Sequence, residues 1–316
     1  MQRVLLVKTS SLGDVVHNFP VVTDILAAYP QASITWAVEE PYVDLVRLHP
    51  GVRSVLPVAM RRWRRTLLRR ETRAEISACC ATLRATEYDA IIDTQGLLKS
   101  ALVTRVARGV RYGLDWESSR EPLFAFYDHR LNVPWGQHAV IRNRKLAALA
   151  LGYEPDGPAD YGLRAPQVRP PWAPVTPYAV LLHGTSAREK LWPEDQWVEL
   201  GRTLSERGMS CVIAWGSEPE RERSVRFADA IPAAIVAPRM SLDVASALIA
   251  HAACAFGVDT GLAHLAGALG VRTVGIYCAT DPIATGLYGG ARAANCGGIG
   301  QPPTVAAVIA CWLGMQ

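Results

Sequence analysis

Residues 4–30 read VLLVKTSSLGDVVHNFPVVTDILAAYP. Val4 to Val7 is a short apolar run of strand type, a loop of small residues follows, and an amphipathic stretch comes next. This is the first strand–loop–helix step of an open α/β sheet, in which ligands bind at the carboxyl ends of the strands. The loop is not the GxGxxG turn of dinucleotide sites: Gly13 stands in it, followed by an acid, Asp14. Pro20 follows soon after, and a helix interior rejects proline. Either the first helix kinks there, or a helix starts with Asn18 as its cap.

The same alternation extends outward from this stretch. RVLLVK, ASITWAVEE, RSVLPV and YDAIIDTQ read as strands separated by helical segments up to about residue 110, which implies a parallel sheet with right-handed crossovers. Residues 165–177, APQVRPPWAPVTP, carry five prolines and read as a stiff, extended linker. The alternation then restarts with YAVLLHG, SCVIAWG, AAIVAP, CAFGVD and TVGIYC as strands. The expected fold class is α/β, two parallel βα sheets joined by a proline hinge with a cleft between them. The domains are expected at 1–165 and 178–316, joined by a linker at 166–177, with the last helix a candidate to return to the first domain.

Composition narrows the function classes. A chain of 316 residues suits roughly two domains, and no apolar run reaches the ~18 residues of a spanning helix. Met1–Gln2–Arg3 leads straight into a strand without a cleavage pattern, so a cytoplasmic protein is expected. The seven cysteines are scattered with no CxxC spacing and read as free thiols of a reducing compartment. A net charge of +4, with no zinc spacing, RNP motif or helix-turn-helix, does not mark a nucleic-acid binder. No DxD, HExxH or Cys/His cluster indicates a metal.

The second half carries an anion site. In GVDTGLAHLAGALGVRTVGIYCATDP, residues 257–282, Asp259, Thr260 and Gly261 form the turn between a strand and a small-residue helix. The amides and dipole of such a helix start favour an anion, and His264 lies one turn further on. The bland alternative is that Asp259 and Thr260 cap the helix and His264 is a core histidine. In LLHGTSAREKLWPEDQW, residues 181–197, Thr185 and Ser186 offer hydroxyls and Lys190 a mobile cation suited to a phosphate. Pro193 reads as the entry to the next helix. AWGSEPERE, residues 214–222, adds a third strand-end loop, where Glu220 is an acceptor for a ribose or sugar hydroxyl or simply a helix-start acid. Two such loops in one domain favour a diphosphate.

The first half lacks phosphate features, so it is expected to bind a different partner. Asp14 is a candidate general base, with Lys8 and Ser10 beside it to hold an anionic substrate. In MRRWRRTLLRRETR, residues 60–73, Arg61, Arg62, Arg64 and Arg65 crowd together around Trp63, with Leu67 and Leu68 beyond. This reads as a basic amphipathic helix or loop–helix suited to anionic lipid or to an acceptor bearing carboxylates and phosphates, with a solvated charged face as the alternative.

VKTSSLGDVVH, RRWRR, DTQGLLKS, SREP, HGTSAREKLWP and VDTGLAHLAGALG, in this order, resemble the lipopolysaccharide heptosyltransferase family along nearly the whole chain. KTSSLGD and RRWRR point to its type I members. The resemblance implies a GT-B fold, with two Rossmann-like parallel-sheet domains facing across a cleft, and an inverting transfer of L-glycero-D-manno-heptose from ADP-heptose to the first Kdo of Kdo2-lipid A, with no essential metal or other cofactor. It implies Asp14 as the base, and Thr185, Ser186, Lys190, Glu220, Met240, Asp259, Thr260, Gly261 and His264 on the donor side. The acceptor side maps to the arginine cluster and to Arg120 and His138. Ser186 stands where the family pattern has Thr, and the hydroxyl is kept. The implied location is peripheral, on the cytoplasmic face of the inner membrane. Two other readings compete: a sugar-nucleotide epimerase of the same fold, and a peripheral membrane or nucleic-acid binding module using residues 60–73.

Overall fold

A computed structural model describes residues 2–315. Met1, where the expected first domain begins, and Gln316, where the expected second domain ends, lie outside the described residues. The chain divides into two compact units between Leu163 and Arg164.

The first unit runs β1 (Arg3–Val7), α1 (Leu12–Val16), α2 (Phe19–Ala28), β2 (Ser33–Glu39), α3 (Val43–Val46), β3 (Val52–Val58), α4 (Met60–Trp63), α5 (Arg70–Ala85), β4 (Glu87–Asp93), α6 (Leu98–Val106), β5 (Arg108–Leu114), β6 (His129–Leu131) and α7 (Ala139–Leu151). Its sheet is parallel, in the order β3-β2-β1-β4-β5-β6. Val4 to Val7 are fully buried, as a central strand covered on both faces must be. The chain accommodates Pro20 by making two helices. Short α1 ends at Val16, and α2 starts afresh with Asn18 as its cap and Pro20 in its first turn, where no amide is needed.

The second unit runs β7 (Tyr178–Leu182), α8 (Glu194–Glu206), β8 (Ser210–Ile213), α9 (Glu218–Ala230), β9 (Ile235–Val236), α10 (Leu242–Ala250), β10 (Cys254–Val258), α11 (Gly261–Ala268), β11 (Thr273–Tyr277), α12 (Pro282–Thr285), β12 (Ala293–Gly297) and α13 (Val305–Leu313). Its parallel sheet has the order β12-β11-β10-β7-β8-β9. Counted from its own first strand, this is the order of the first sheet. In each, the chain reverses its direction of travel between two central strands, β1 and β4 or β7 and β10, and opens a crevice at their carboxyl ends.

Helix α8 shows how sequence drives the packing. Trp197, Leu200, Gly201 and Leu204 share its buried face, while Glu194 and Asp195 complement the dipole in its first turn. Pro193 is its cap residue, one position before the helix. The proline-rich stretch is not a free strut: Trp172 and Ala173 pack into the core of the second unit. The last helix, α13, lies on β11, β12 and α8 of that same unit. Among the described residues, no helix is long and apolar enough to cross a membrane.

Candidate functional site: two strand-end crevices

In the second unit, the loops after β7 and β10 are tied together at the crevice. The Thr185 hydroxyl donates to the Asp259 carbonyl at 3.1 Å. The Lys190 ammonium donates to Asp259 Oδ2 at 2.7 Å, and His264 Nε2 lies 3.5 Å from Asp259 Oδ1. Burial pushes the Asp259 carboxyl up, but the hydrogen bonds from His264 and Lys190 outweigh it and hold the group far below the ordinary carboxylate range. Asp259 is therefore a fixed anion that aims Lys190 and His264.

Thr260 is the cap residue of α11, yet its hydroxyl makes no capping bond. Its side chain and the first amides of α11 are the unspent donors of a helix start. Close packing sets the backbone here: a Cβ on Gly257 would lie 2.8 Å from Ala263 Cβ, so β10 and α11 approach as only glycine permits. Glu220 sits at the third position of α9, where Oε2 accepts from the amides of Gly216 at 2.7 Å and Ser217 at 3.1 Å. Its carboxylate also lies over Gly184, where a Cβ would meet Glu220 Cδ at 2.7 Å. The helix-start role is thus occupied, and the group also borders the β7 loop. Ser186 is exposed, and Met240 packs beside the core at the start of α10.

In the first unit the equivalent loops follow β1 and β4. Gln95 Oε1 accepts from the amides of Thr9 at 3.1 Å and Ser10 at 3.0 Å. Asp93, fully buried, accepts from the amides of Gln95 at 2.9 Å and Gly96 at 3.0 Å and from the Tyr127 hydroxyl at 2.9 Å. Burial raises its pKa. Lys8 is buried and donates to the Thr94 carbonyl at 2.7 Å. Burial pushes its pKa down, the Asp14 and Asp93 charges pull it back, and Arg142 and Arg120 press it down further.

Asp14 is half-buried at the third position of α1, with Oδ2 accepting from the Ser11 amide at 2.8 Å and hydroxyl at 2.9 Å. Among the described residues nothing donates to its Oδ1. Lys99 lies beside this loop and donates to the Ser10 hydroxyl. Arg142 stacks 3.8 Å over the Trp135 ring, with Arg120 6.0 Å from the same ring. His138 caps α7, its Nδ1 accepting from the Val140 amide at 3.1 Å, and its ring meets His17 edge-on at 5.2 Å.

The arginine cluster is a short helix, a turn and a long helix, with like charges crowded on α4. Arg62 is set apart from its neighbours: it binds Glu40 at 3.1 Å and Glu75 at 2.8 Å, so its charge is spent within the protein. Both acids lie outside residues 60–73, Glu40 just after β2 and Glu75 further along α5, and nothing in residues 60–73 announces them. Arg61, Arg64 and Arg65 are exposed and, among the described residues, make no ion pair. Trp63 packs in the core and donates to Glu75 at 2.9 Å.

Gln95, Lys99, Arg142 and Trp135 were not singled out from sequence. Gln95 and Lys99 lie in the stretch DTQGLLKS, which did stand out as a motif, whereas Arg142 and Trp135 carry no local signal. Among the described residues no three His, Cys, Asp or Glu side chains group as a metal site.

Comparison with known proteins places these crevices in context. The sequence pattern of glycosyltransferase family 9 (heptosyltransferase) matches residues 76–309. Lipopolysaccharide heptosyltransferase 1 of Pseudomonas aeruginosa is 47% identical over 290 residues, which cover 91% of this chain and 81% of that protein. The structure of E. coli heptosyltransferase WaaC with ADP superposes with a TM-score of 0.90 at 39% identity, over 98% of this chain and 97% of that one. The same enzyme with ADP-2-deoxy-2-fluoro heptose gives 0.87 at 39% identity, over 98% of each chain.

Proposed function

The chain belongs to glycosyltransferase family 9, the heptosyltransferases, within its lipopolysaccharide heptosyltransferase I group, and on that premise we propose an inverting transfer from ADP-L-glycero-D-manno-heptose to the first Kdo of Kdo2-lipid A. It is a glycosyltransferase and serves heptose transfer in lipopolysaccharide core synthesis. The epimerase and binding-module readings fall away with that membership.

The second unit is the donor side in this reading. Lys190, aimed by Asp259, balances the negative charge that grows on the departing ADP, with Thr185, Ser186, Thr260 and the α11 amides from Gly261 as further donors. His264 completes the hold on Asp259. Glu220 takes ribose or sugar hydroxyls, and Met240 contributes apolar surface.

The first unit is the acceptor side. The acceptor hydroxyl attacks the anomeric carbon from the face opposite the diphosphate and gives its proton to Asp14 Oδ1. Ser11 holds the other oxygen and so fixes the carboxylate. Lys8, Ser10, Arg120 and His138, joined by Lys99 and Arg142, bind the Kdo carboxylates. Arg61, Arg64 and Arg65 meet acceptor phosphates and the anionic cytoplasmic face of the inner membrane, where the enzyme is peripheral.

The observation that carries the assignment of the base is the contrast between the two carboxylates. Asp259 is held ionised by the Lys190 ammonium and a hydrogen bond from His264 and cannot usefully take a proton, whereas among the described residues Asp14 has no ion partner within bonding distance. The test is transfer from ADP-heptose to Kdo2-lipid A by the wild type and by Asp14→Asn, with the product anomer read by NMR. Inversion with loss of turnover in the variant supports the reading. Retention of configuration, or near-normal turnover in Asp14→Asn, rejects it.

A further inference from the structure

The first unit holds a cavity of about 750 Å³, within the ~300–1,000 Å³ of small-molecule sites. It lies among β3, α4, α5 and α6. Its walls grade from buried to open. Trp63 and Leu83 belong to the core, Ile76 is partly buried, and Leu67, Leu98 and Leu102 are 52%, 51% and 46% exposed. Leucines that are half-exposed and continuous with a buried apolar floor make a hydrocarbon-lined opening.

Arg61, Arg64, Arg65 and Lys99 also line it. The two acids on its wall are engaged: Glu39 accepts from the Arg61 amide at 3.2 Å and Glu121 from the Leu98 amide at 2.6 Å. Burial moreover raises the Glu39 pKa. The rim is therefore cationic around an apolar interior, the complement of an amphiphile with an anionic head and a hydrocarbon tail. Lys99 connects this rim to the Asp14 loop, because the same ammonium that lines the cavity donates to Ser10.

We propose that this cavity takes an acyl chain of the lipid acceptor itself, with the anionic groups nearest the chain held by Arg61, Arg64, Arg65 and Lys99. The proposal rests on the acceptor reading above and adds a recognition element for the tail. A chain seated here places its head group toward Lys99 and the β1 loop, which favours the acceptor over a bulk membrane lipid. Arg62, already bound to Glu40 and Glu75, takes no part.

The test has two arms. In the first, dodecyl phosphate below its critical micelle concentration and butyl phosphate are titrated into the full-length protein. One dodecyl chain is expected to bind per protein, at least tenfold tighter than butyl phosphate. Leu102→Glu, which puts a charge on the wall, and Cys80→Trp, which fills the space, should each remove that advantage, while Leu102→Met should keep it. In the second arm, kcat/KM is measured for acylated and fully deacylated acceptor. Their ratio should fall at least fivefold in Leu102→Glu and Cys80→Trp relative to wild type and Leu102→Met.

Equal binding of the two phosphates to the wild type overturns the pocket. Chain binding that the variants abolish without moving the kinetic ratio overturns the acceptor assignment, and the occupant is then a bulk lipid. Absence of heptose transfer to either acceptor rejects the function proposed above, while the dodecyl phosphate arm still decides whether the pocket exists.

Discussion

The two units have one strand order but opposite chemistry at their crevices. In the second, a carboxylate is clamped by Lys190 and His264 across the ends of β7 and β10. In the first, the corresponding loops are joined without a carboxylate: the Gln95 amide oxygen accepts from the Thr9 and Ser10 amides, the Lys8 and Lys99 ammoniums donate to the Thr94 carbonyl and the Ser10 hydroxyl, and among the described residues Asp14 makes no ion pair. A clamped carboxylate is a scaffold for its partners, and the unclamped one is the carboxylate to which the reading proposed above gives the role of base. The fold supplies the place, and the cross-loop partners decide what each acid does.

The sharpest way to break this comparison is to remove each acid in turn. Asp14→Ala should lower kcat by about 10²–10⁴-fold, the usual worth of a general base, with ADP-heptose affinity within about twofold of wild type. Asp259→Ala should instead weaken donor affinity, because Lys190 and His264 lose their common anchor. Calorimetric donor titration beside steady-state kinetics separates the two. A swap of these phenotypes would reverse the roles assigned to the two units.

Stability against pH offers a second comparison, between the buried His49 of the first unit and the buried His183 of the second. Burial lowers both His49 and His183 to about 4. The unfolded chain takes up these protons near the ordinary value of about 6.5, while the folded units resist until about 4. Each contribution is therefore fully present above about pH 6.5 and is lost as pH falls through that window, by roughly 3 kcal/mol per histidine at most. Opening free energies from amide exchange of β1 and β10 should both fall between pH 7 and pH 4.5. His183→Asn should flatten the decline in β10 alone. Equal flattening in both sheets would show that the units do not open independently.

Most of the fold was legible because its central strands are unbroken apolar runs with turn residues between them. Residues 4–7 and Cys254–Val258 are buried on both sides and announce themselves. The outlying strands do not. Residues 108–114, RGVRYGL, alternate arginine with glycine, residues 129–131 are a three-residue strand, and residues 293–297, AANCG, have weak strand propensity. They form because a neighbour is already in place to pair with.

The site divides the same way. Asp14, Asp259 and Lys190 sit in local motifs at strand ends. Arg62 finds its partners on other elements, Glu40 after β2 and Glu75 on α5, and Arg142 on α7 stacks on Trp135 in the loop before that helix, pairings that no helix or strand period encodes.

A smaller effect is expected at Lys190. Lys190→Ala should lower kcat more than it raises the KM for ADP-heptose, by about 10²-fold, since in the proposed reading the phosphate charge it balances grows as the bond breaks. The double variant with Asp259→Ala should lose less than the sum of the two single changes, because the pair acts as one unit. A pure KM effect in Lys190→Ala would mean that it grips the ground and transition states equally.

The smallest expected effects, taken singly, lie in the arginines, and they sharpen the contrast within one cluster. Near an anionic surface each free basic residue contributes about fivefold in binding, falling off beyond a Debye length. Arg61→Gln, Arg64→Gln and Arg65→Gln should each weaken binding to vesicles containing phosphatidylglycerol by about that factor, with a parallel rise in acceptor KM. Added salt should shrink all three differences. Arg62→Gln should change vesicle binding least, because Glu40 and Glu75 already neutralise its guanidinium. Its loss should be felt instead at Trp63, which shares Glu75, as a shift in tryptophan fluorescence. ADP affinity should not move in any of the four, since the proposed reading places the donor groups in the second unit. If Arg62→Gln weakens vesicle binding as much as its neighbours do, the cluster acts through net charge alone. If ADP affinity falls while acceptor KM holds, the arginines serve the nucleotide, and the division of labour between the units is wrong.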